Sequence, residues 1–311
     1  MVDLTVSPGI QAGQEQQFSA ALPGDYLTLL KPRVMSLVVF TGLAGLVAAD
    51  TPMNPVLAAV AVLAIALATG GAGAINMWYD RDIDAIMDRT RGRPIPMGVI
   101  EPDNALAFGV IVTIASICIM GLAVNWLSAG ILAAASFTYV FVYTIWLKRR
   151  SPQNIVIGGA AGAFPPMIGW TAATGHLSWA AVALFMITFF WTPPHFWALA
   201  LYRCKDYARA GVPMMSVTAG PKSTKRQMLA YTLLLLPIGV SPYFLGAAGP
   251  IYLAGSAVLG LLFIAAAVAV IRDETDKSAK RMFGFSIIYL FAMFTLLMVD
   301  YGPGLIARLG G

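Results

Sequence analysis

Asn76, Asp80, Asp84 and Asp88 follow one another at four-residue steps where a long apolar run, 56–76, meets its first charges. On a continuing helix each step advances about 400° and rises about 6 Å, so the side chains form one slowly drifting stripe. Carboxylates on one face repel, and more strongly beside a low-dielectric membrane than in water. A divalent cation is the simplest source of compensating charge. Mg²⁺ takes one or two carboxylates, keeps waters and completes its shell with substrate phosphate oxygens. The competing reading is a solvated helix end on which these acids pair with Arg81, Arg89, Arg91 and Arg93. Asp80, Asp82 and Asp84 also alternate as in a calcium loop. Ala85 stands where that loop has its glycine and Arg91 where it has its last glutamate, which excludes it.

A second acid, Asp206, lies among bases just beyond a later apolar run, and Arg89, Arg93, Lys148 and Lys205 fall on the same side of the chain's charge pattern. Acids that hold Mg²⁺, ringed by cations, suit a diphosphate leaving group. An apolar interior below them suits a hydrophobic tail, and an allylic C1–O bond that ionises at the membrane boundary follows. Trp170, Trp191, Phe189 and Phe190 offer ring faces to an allylic cation; packing or interface anchoring is their alternative role. No Ser/His/Asp or Cys/His arrangement and no Gly-rich nucleotide loop is present, and with two histidines zinc is not expected. Cys118 and Cys204 do not read as a disulfide or metal pair.

The elements that position these groups are membrane helices. Of 311 residues 59% are hydrophobic and 11% charged, with mean hydropathy +0.76, whereas a soluble chain carries roughly a quarter charged residues. Runs long enough to cross about 30 Å of hydrocarbon occur at 27–49, 56–76, 104–124, 128–147, 154–174, 179–202, 229–247, 251–271 and 283–301. The expectation is an all-α polytopic protein of nine transmembrane helices in the lipid bilayer. Nineteen of the twenty Lys and Arg fall on one side of that pattern, leaving only Arg308 opposite. Positive-inside placement puts the N-terminus in the cytoplasm and the C-terminus outside, as an odd number of spans requires. It also accounts for the net charge of +5 without a nucleic-acid partner. Residues 1–24 contain no Lys or Arg, unlike a signal or transit peptide. Residues 1–26 are expected to be a mobile cytoplasmic tail, 27–311 a single domain, and the location a bacterial inner membrane.

Two proline pairs interrupt apolar runs. Pro165-Pro166 and Pro193-Pro194 free the carbonyls of Ala161, Gly162, Phe189 and Phe190, and helix breaks are expected there, with the carbonyls satisfied by neighbouring groups or a cavity lined. Gly158, Gly159 and Gly162 serve equally for close helix packing.

Asn76-x-x-x-Asp80-x-x-x-Asp84, followed by Asp88-Arg-Thr-Arg-Gly-Arg-Pro94-Ile-Pro96, resembles the first signature of the UbiA-type intramembrane prenyltransferases. Further segments resemble one branch of that family, the protoheme IX farnesyltransferases. These are Lys31-Pro-Arg33-Val, Trp146-Leu-Lys148-Arg and the stretch from Asn154 to Trp170. Trp191-Thr-Pro-Pro-His195-Phe-Trp197, and Lys205-Asp206-Tyr207 with Gly211-Val-Pro213-Met, complete the likeness, which runs from about residue 27 to the last span.

The resemblance implies nine helices around a central cavity. It implies Mg²⁺-dependent transfer of farnesyl from farnesyl diphosphate to a vinyl group of heme B, with water completing the addition to give heme O. It makes Asn76, Asp80 and Asp84 the first metal motif and Asp206 the second acidic site. It makes Arg33, Arg89, Arg93, Lys148 and Lys205 diphosphate contacts, and places Trp191 and His195 in the heme or prenyl cavity. A heme A synthase or the oxidase assembly machinery are the protein partners it suggests. The superfamily's second motif has two acids four apart, but Tyr202 and Ala210 stand at those distances from Asp206, so a second Mg²⁺ has fewer protein ligands. His195 either meets the heme, through iron or a propionate, or bonds a carbonyl freed by the prolines. Two rival readings are an aromatic-acid or quinone-precursor acceptor and a secondary transporter. The acids lie at one membrane edge rather than at the midplane, and no internal repeat is visible, both against the transporter.

Overall fold

Prolines open the helices. Pro23, Pro32, Pro55, Pro102 and Pro250 each stand in a first turn, where a missing N–H costs nothing. Asn54, Asn125 and Ser178 cap others by accepting from Val56, Ser128 and Ala181 N–H at 2.8, 2.8 and 3.3 Å. Gly175, at φ +71°, supplies a left-handed stop. The computed structural model describes residues 21–309, except the side chains of 33, 34 and 301–309. Among these residues the helices are α1 Pro23–Leu29, α2 Pro32–Ala48, α3 Pro55–Tyr79, α4 Arg81–Ile86, α5 Pro102–Val124 and α6 Trp126–Leu147. They continue as α7 Asn154–Thr174, α8 Trp179–Tyr202, α9 Cys204–Arg209, α10 Met215–Thr218, α11 Gly220–Phe244, α12 Pro250–Arg272 and α13 Lys277–Leu309. No strand occurs among the described residues.

Eight helices (α3, α5, α6, α7, α8, α11, α12 and α13) are long and apolar enough to cross a membrane. The first expected span, 27–49, is instead divided. Lys31 adopts the left-handed conformation, φ 54° and ψ 56°, and Pro32 starts a new helix, because a residue before proline is driven out of the right-handed α region. That new helix, α2, has 17 residues, at the short end of what can span. The expected tail 1–26 is shortened by α1, which begins at Pro23; residues 1–20 lie outside those described.

Helices α7 and α8 are innermost, with 67% of each apolar window buried against 22% for α6. α8 packs on α7, α11 and α13, and α2 lies against α7 and α13, while α3 pairs with α5. Backbone contact explains how the short α2 is held. A Cβ on Gly45 would strike the Pro166 carbonyl, and one on Gly169 the Gly42 carbonyl. Gly71 and Gly109 make the same close crossing between α3 and α5. Exposed Trp126 and Trp179 begin α6 and α8 at the end opposite the charged loops, as interfacial aromatics do.

The proline pairs do not break their helices. α7 and α8 run through Pro165-Pro166 and Pro193-Pro194, all four buried among neighbouring helices that hold the chain on course. The irregular turns are elsewhere, π-helical at Met120–Val124 and Thr138–Leu147. In the second, Lys148 N–H donates five residues back to Tyr143 O at 2.8 Å. The wider turn therefore ends on a residue the sequence marks for chemistry.

Gly169→Ala should destabilise the fold by about 1–3 kcal/mol through overpacking. Gly162→Ala, on the same helix with nothing within 4 Å of the added Cβ, should not. Thermal unfolding in detergent compares the two.

Candidate active site

Three members of the stripe face inward. Asn76 lies in the last turn of α3, Asp80 at the junction with α4, and Asp84 within α4; they are 4%, 0% and 2% exposed. Met87 then turns extended, ψ 129°, and ends α4. Asp88 consequently leaves the stripe for the surface, where it pairs with Arg209 at 3.0 Å and Arg91 at 3.8 Å. The four-step periodicity thus holds only as far as the helix does.

Cations from other segments meet these buried groups. Lys31 Nζ, aimed by its left-handed backbone, donates to Asn76 Oδ1 at 2.8 Å. Asn76 Nδ2 donates to Asp80 Oδ2 at 2.6 Å and to Thr144 Oγ1 at 3.1 Å. Lys148 Nζ donates to Asp80 Oδ2. Arg93 Nη1 reaches Asp84 Oδ2 at 2.5 Å, and Thr90 Oγ1 donates to the Asp84 carbonyl at 3.0 Å, which ties their loop to α4. Burial excludes the solvated helix end for these three residues. Arg81 turns away to the Trp78 carbonyl, while Arg149 grips surface Asp82 through two bonds of 2.7 and 2.6 Å. Those bonds hold the Asp82 carboxyl below the usual carboxylate range.

Asp206, in the first turn of α9, joins a different cluster. Its Oδ1 accepts Asp88 N–H at 3.2 Å and Arg209 Nη2 at 2.8 Å. Among the described residues no group of three or more His, Cys, Asp or Glu is close enough to hold a metal. Asn76, Asp80 and Asp84 thus lie together in one cluster and Asp206 in another, as two separate positions. The donor chemistry still suits Mg²⁺ at the first motif. Asp80 Oδ1 is buried with no hydrogen-bond partner, and a hard cation that takes one or two carboxylates and substrate oxygens needs little more from the protein. Asp206 Oδ2 is likewise buried and unpartnered.

Lys205 is exposed, and Arg89 is exposed beside Tyr207. Burial raises the Tyr207 hydroxyl's pKa, and the Arg89 charge pulls it back. The Arg33 side chain lies outside the described residues. Trp191 and His195, one turn apart on α8, stack at 4.3 Å, and both bond to Ser286 of α13. His195 therefore bonds a serine hydroxyl and not a proline-freed carbonyl. Trp170 is buried with its Nε1–H unpartnered, and Phe189 and Phe190 are half-buried.

Sequence reasoning assigned no role to Lys31, Thr144 or Ser286. A lysine before proline was the available signal for Lys31. Nothing marks Thr144 or Ser286 beyond a hydroxyl in an apolar run.

Residues 37–296 match the model of the UbiA prenyltransferase family. The chain belongs to that family. It is a multi-pass membrane prenyltransferase, which sets aside the transporter reading. It is 56% identical to a protoheme IX farnesyltransferase of Acidiphilium cryptum over 92% of this chain and 93% of that one. It is 57% identical to another from Brucella anthropi, over 91% and 92%. A solved digeranylgeranylglyceryl phosphate synthase has the same fold, with TM-score 0.75 at 19% identity over 89% of this chain and 98% of that one. A UbiA homolog from Archaeoglobus fulgidus bound to GPP and Mg²⁺ superposes with TM-score 0.61 at 17% identity, over 88% and 99%.

Lys148→Met leaves the fully buried Asp80 charge with the more distant Arg149, 3.7 Å away, and should cost about 3–5 kcal/mol of stability. Adding Asp80→Asn should recover most of that loss, which chemical unfolding of both single variants and the double variant would measure. Asp82→Asn should cost only about 0.5–1 kcal/mol at neutral pH, because the pair is largely solvated. The folded-state pKa of Asp82 is depressed, so its contribution is complete above about pH 4 and fades as pH falls further. Melting curves of the wild type and Asp82→Asn should converge in acid.

Proposed function

We propose that this prenyltransferase moves a farnesyl group from farnesyl diphosphate to a vinyl group of heme B, with water completing the addition to give heme O. The observation that carries the reading is the buried stripe Asn76, Asp80 and Asp84, matched by Lys31, Lys148 and Arg93 from outside its own helices. The names of the curated relatives support the acceptor, and the GPP and Mg²⁺ bound to the Archaeoglobus homolog support the donor and the metal.

Asn76, Asp80 and Asp84 would hold Mg²⁺, which when bound neutralises diphosphate charge. Lys148 and Arg93, 15% and 20% exposed, have long enough stems to exchange a carboxylate for a diphosphate oxygen. Arg89 and Lys205 add positive charge along the same rim, and Arg33 is kept as a further diphosphate contact on the resemblance alone. The allylic C1–O bond breaks and its electron pair departs with the diphosphate. The vinyl carbon of the porphyrin supplies the pair for the new C–C bond. Water then adds to the cation formed beside the ring, and one proton is released. Asp206 helps to fasten α9 to the loop after α4 and offers a second acidic position at the rim. The charge pattern supports a rim on the cytoplasmic side of a bacterial inner membrane, from which heme O would pass to a heme A synthase or the oxidase assembly machinery.

Incubating purified protein with Mg²⁺, labelled farnesyl diphosphate and heme B should give a porphyrin heavier by a farnesyl and a hydroxyl group, detected by mass analysis. Chelation of divalent ions should stop the reaction. Asp80→Asn and Asp84→Asn should each lower turnover at least a hundredfold while the protein stays folded. Label on an aromatic acid and none on porphyrin would move the assignment to another branch of the family.

A further inference from the structure

Ser286 of α13 fixes two aromatic side chains of α8 at once. Its backbone carbonyl accepts Trp191 Nε1–H at 2.7 Å, and its hydroxyl oxygen lies 2.6 Å from His195 Nδ1. That hydroxyl donates its own proton to the Phe283 carbonyl at 2.6 Å. A serine hydroxyl has one proton and two lone pairs. With the proton committed to Phe283, Oγ accepts from His195, so Nδ1 carries the imidazole N–H. Nε2 of the neutral ring is then left with its lone pair.

Nothing else uses that lone pair. Among the described residues the hydrogen bond of the His195 ring is the one at Nδ1. The ring cannot readily turn. It is stacked between Trp191 at 4.3 Å and 18° and Phe283 at 4.7 Å and 25°, with Phe196 edge-on at 5.1 Å. An imidazole whose N–H is held by an outer acceptor, and whose other nitrogen is bare, is in the form that ligates a metal.

We infer that Ser286 is a positioning residue: it locks His195 in the Nδ1–H tautomer so that Nε2 bonds the iron of the porphyrin acceptor. This rests on heme B being that acceptor. Ser286→Ala isolates the role, because Trp191 bonds the backbone carbonyl, which the substitution keeps.

Full-length protein in detergent is titrated with heme B and followed by optical absorption and resonance Raman. The wild type should show an iron–imidazole signature that His195→Ala removes. Ser286→Ala should weaken heme binding about tenfold or more and shift the iron–imidazole stretch, with farnesyl diphosphate binding unchanged. Ser286→Thr, which keeps the hydroxyl, should restore both. Should Ser286→Ala not fold, Ser286→Cys, close in size and a weak acceptor, takes its place with the same expectation. A wild-type complex without nitrogen ligation overturns the inference, as does a Ser286 variant with wild-type affinity and stretch. Farnesyl transfer, measured on the same wild-type preparation, separates the two ideas. Labelled porphyrin without nitrogen ligation removes iron bonding and leaves the acceptor assignment standing. Unlabelled porphyrin removes both.

Discussion

Asp80 and Asp84 are carboxylates with almost no solvent exposure, placed where α3 runs into α4 beside the membrane-spanning bundle. Removing such charges from water costs several kcal/mol each even after relaxation, and only close cations with good geometry offset it. Much of the architecture around them meets that demand. The left-handed Lys31 breaks the first apolar segment and sends its side-chain nitrogen to Asn76 beside Asp80. The π-helical end of α6 delivers Lys148 to Asp80. The turns after α4 bring Arg93 back to Asp84, nine residues on. Each is a local departure from regular helix, and each ends in a cation at the same cluster.

These contacts also show how an electrostatic site can be stable and still open to substrate. Asp80 Oδ1 is left without a hydrogen bond, with Arg149 Nη2 3.7 Å away. The carboxylates' partners are lysine and arginine heads on flexible stems, partly exposed, which can exchange an oxygen of the protein for one of a diphosphate at small cost. A rigid, fully satisfied network would give the same fold and no such exchange. The nearby cluster of Asp88, Asp206 and Arg209 is more exposed. It fastens loops that are far apart in sequence, while the buried cluster holds the charge.

Deeper in the bundle the organising contact is uncharged. α8 and α13 meet through Trp191, His195 and Ser286, with aromatic rings stacked on either side of the imidazole. Close backbone packing, at Gly42, Gly45 and Gly169, holds α2 against α7. A polar pair here is costly unless each atom finds a partner. Within this trio, Nε2 of His195 is the ring atom left over.

The sequence by itself determined the all-helical membrane class, because apolar runs of about 20 residues have no other stable form in hydrocarbon. It placed most helix ends to within a few residues through the limits of those runs, where prolines, Asn and Ser caps and a left-handed glycine then act locally. It also picked out Asn76, Asp80 and Asp84 as one face, since helical periodicity is local too. The tertiary structure alone decided the rest. Asp88 left the stripe because the chain turned at Met87, and Asp206 joined Asp88 rather than Asp80 because α9 packs at the loop. The expected breaks at Pro165-Pro166 and Pro193-Pro194 did not occur, because neighbouring helices hold those turns. Lys31, Thr144 and Ser286 gained partners 45, 68 and 91 residues away. Such long-range pairings depend on how helices cross, and no periodicity within a single segment encodes that.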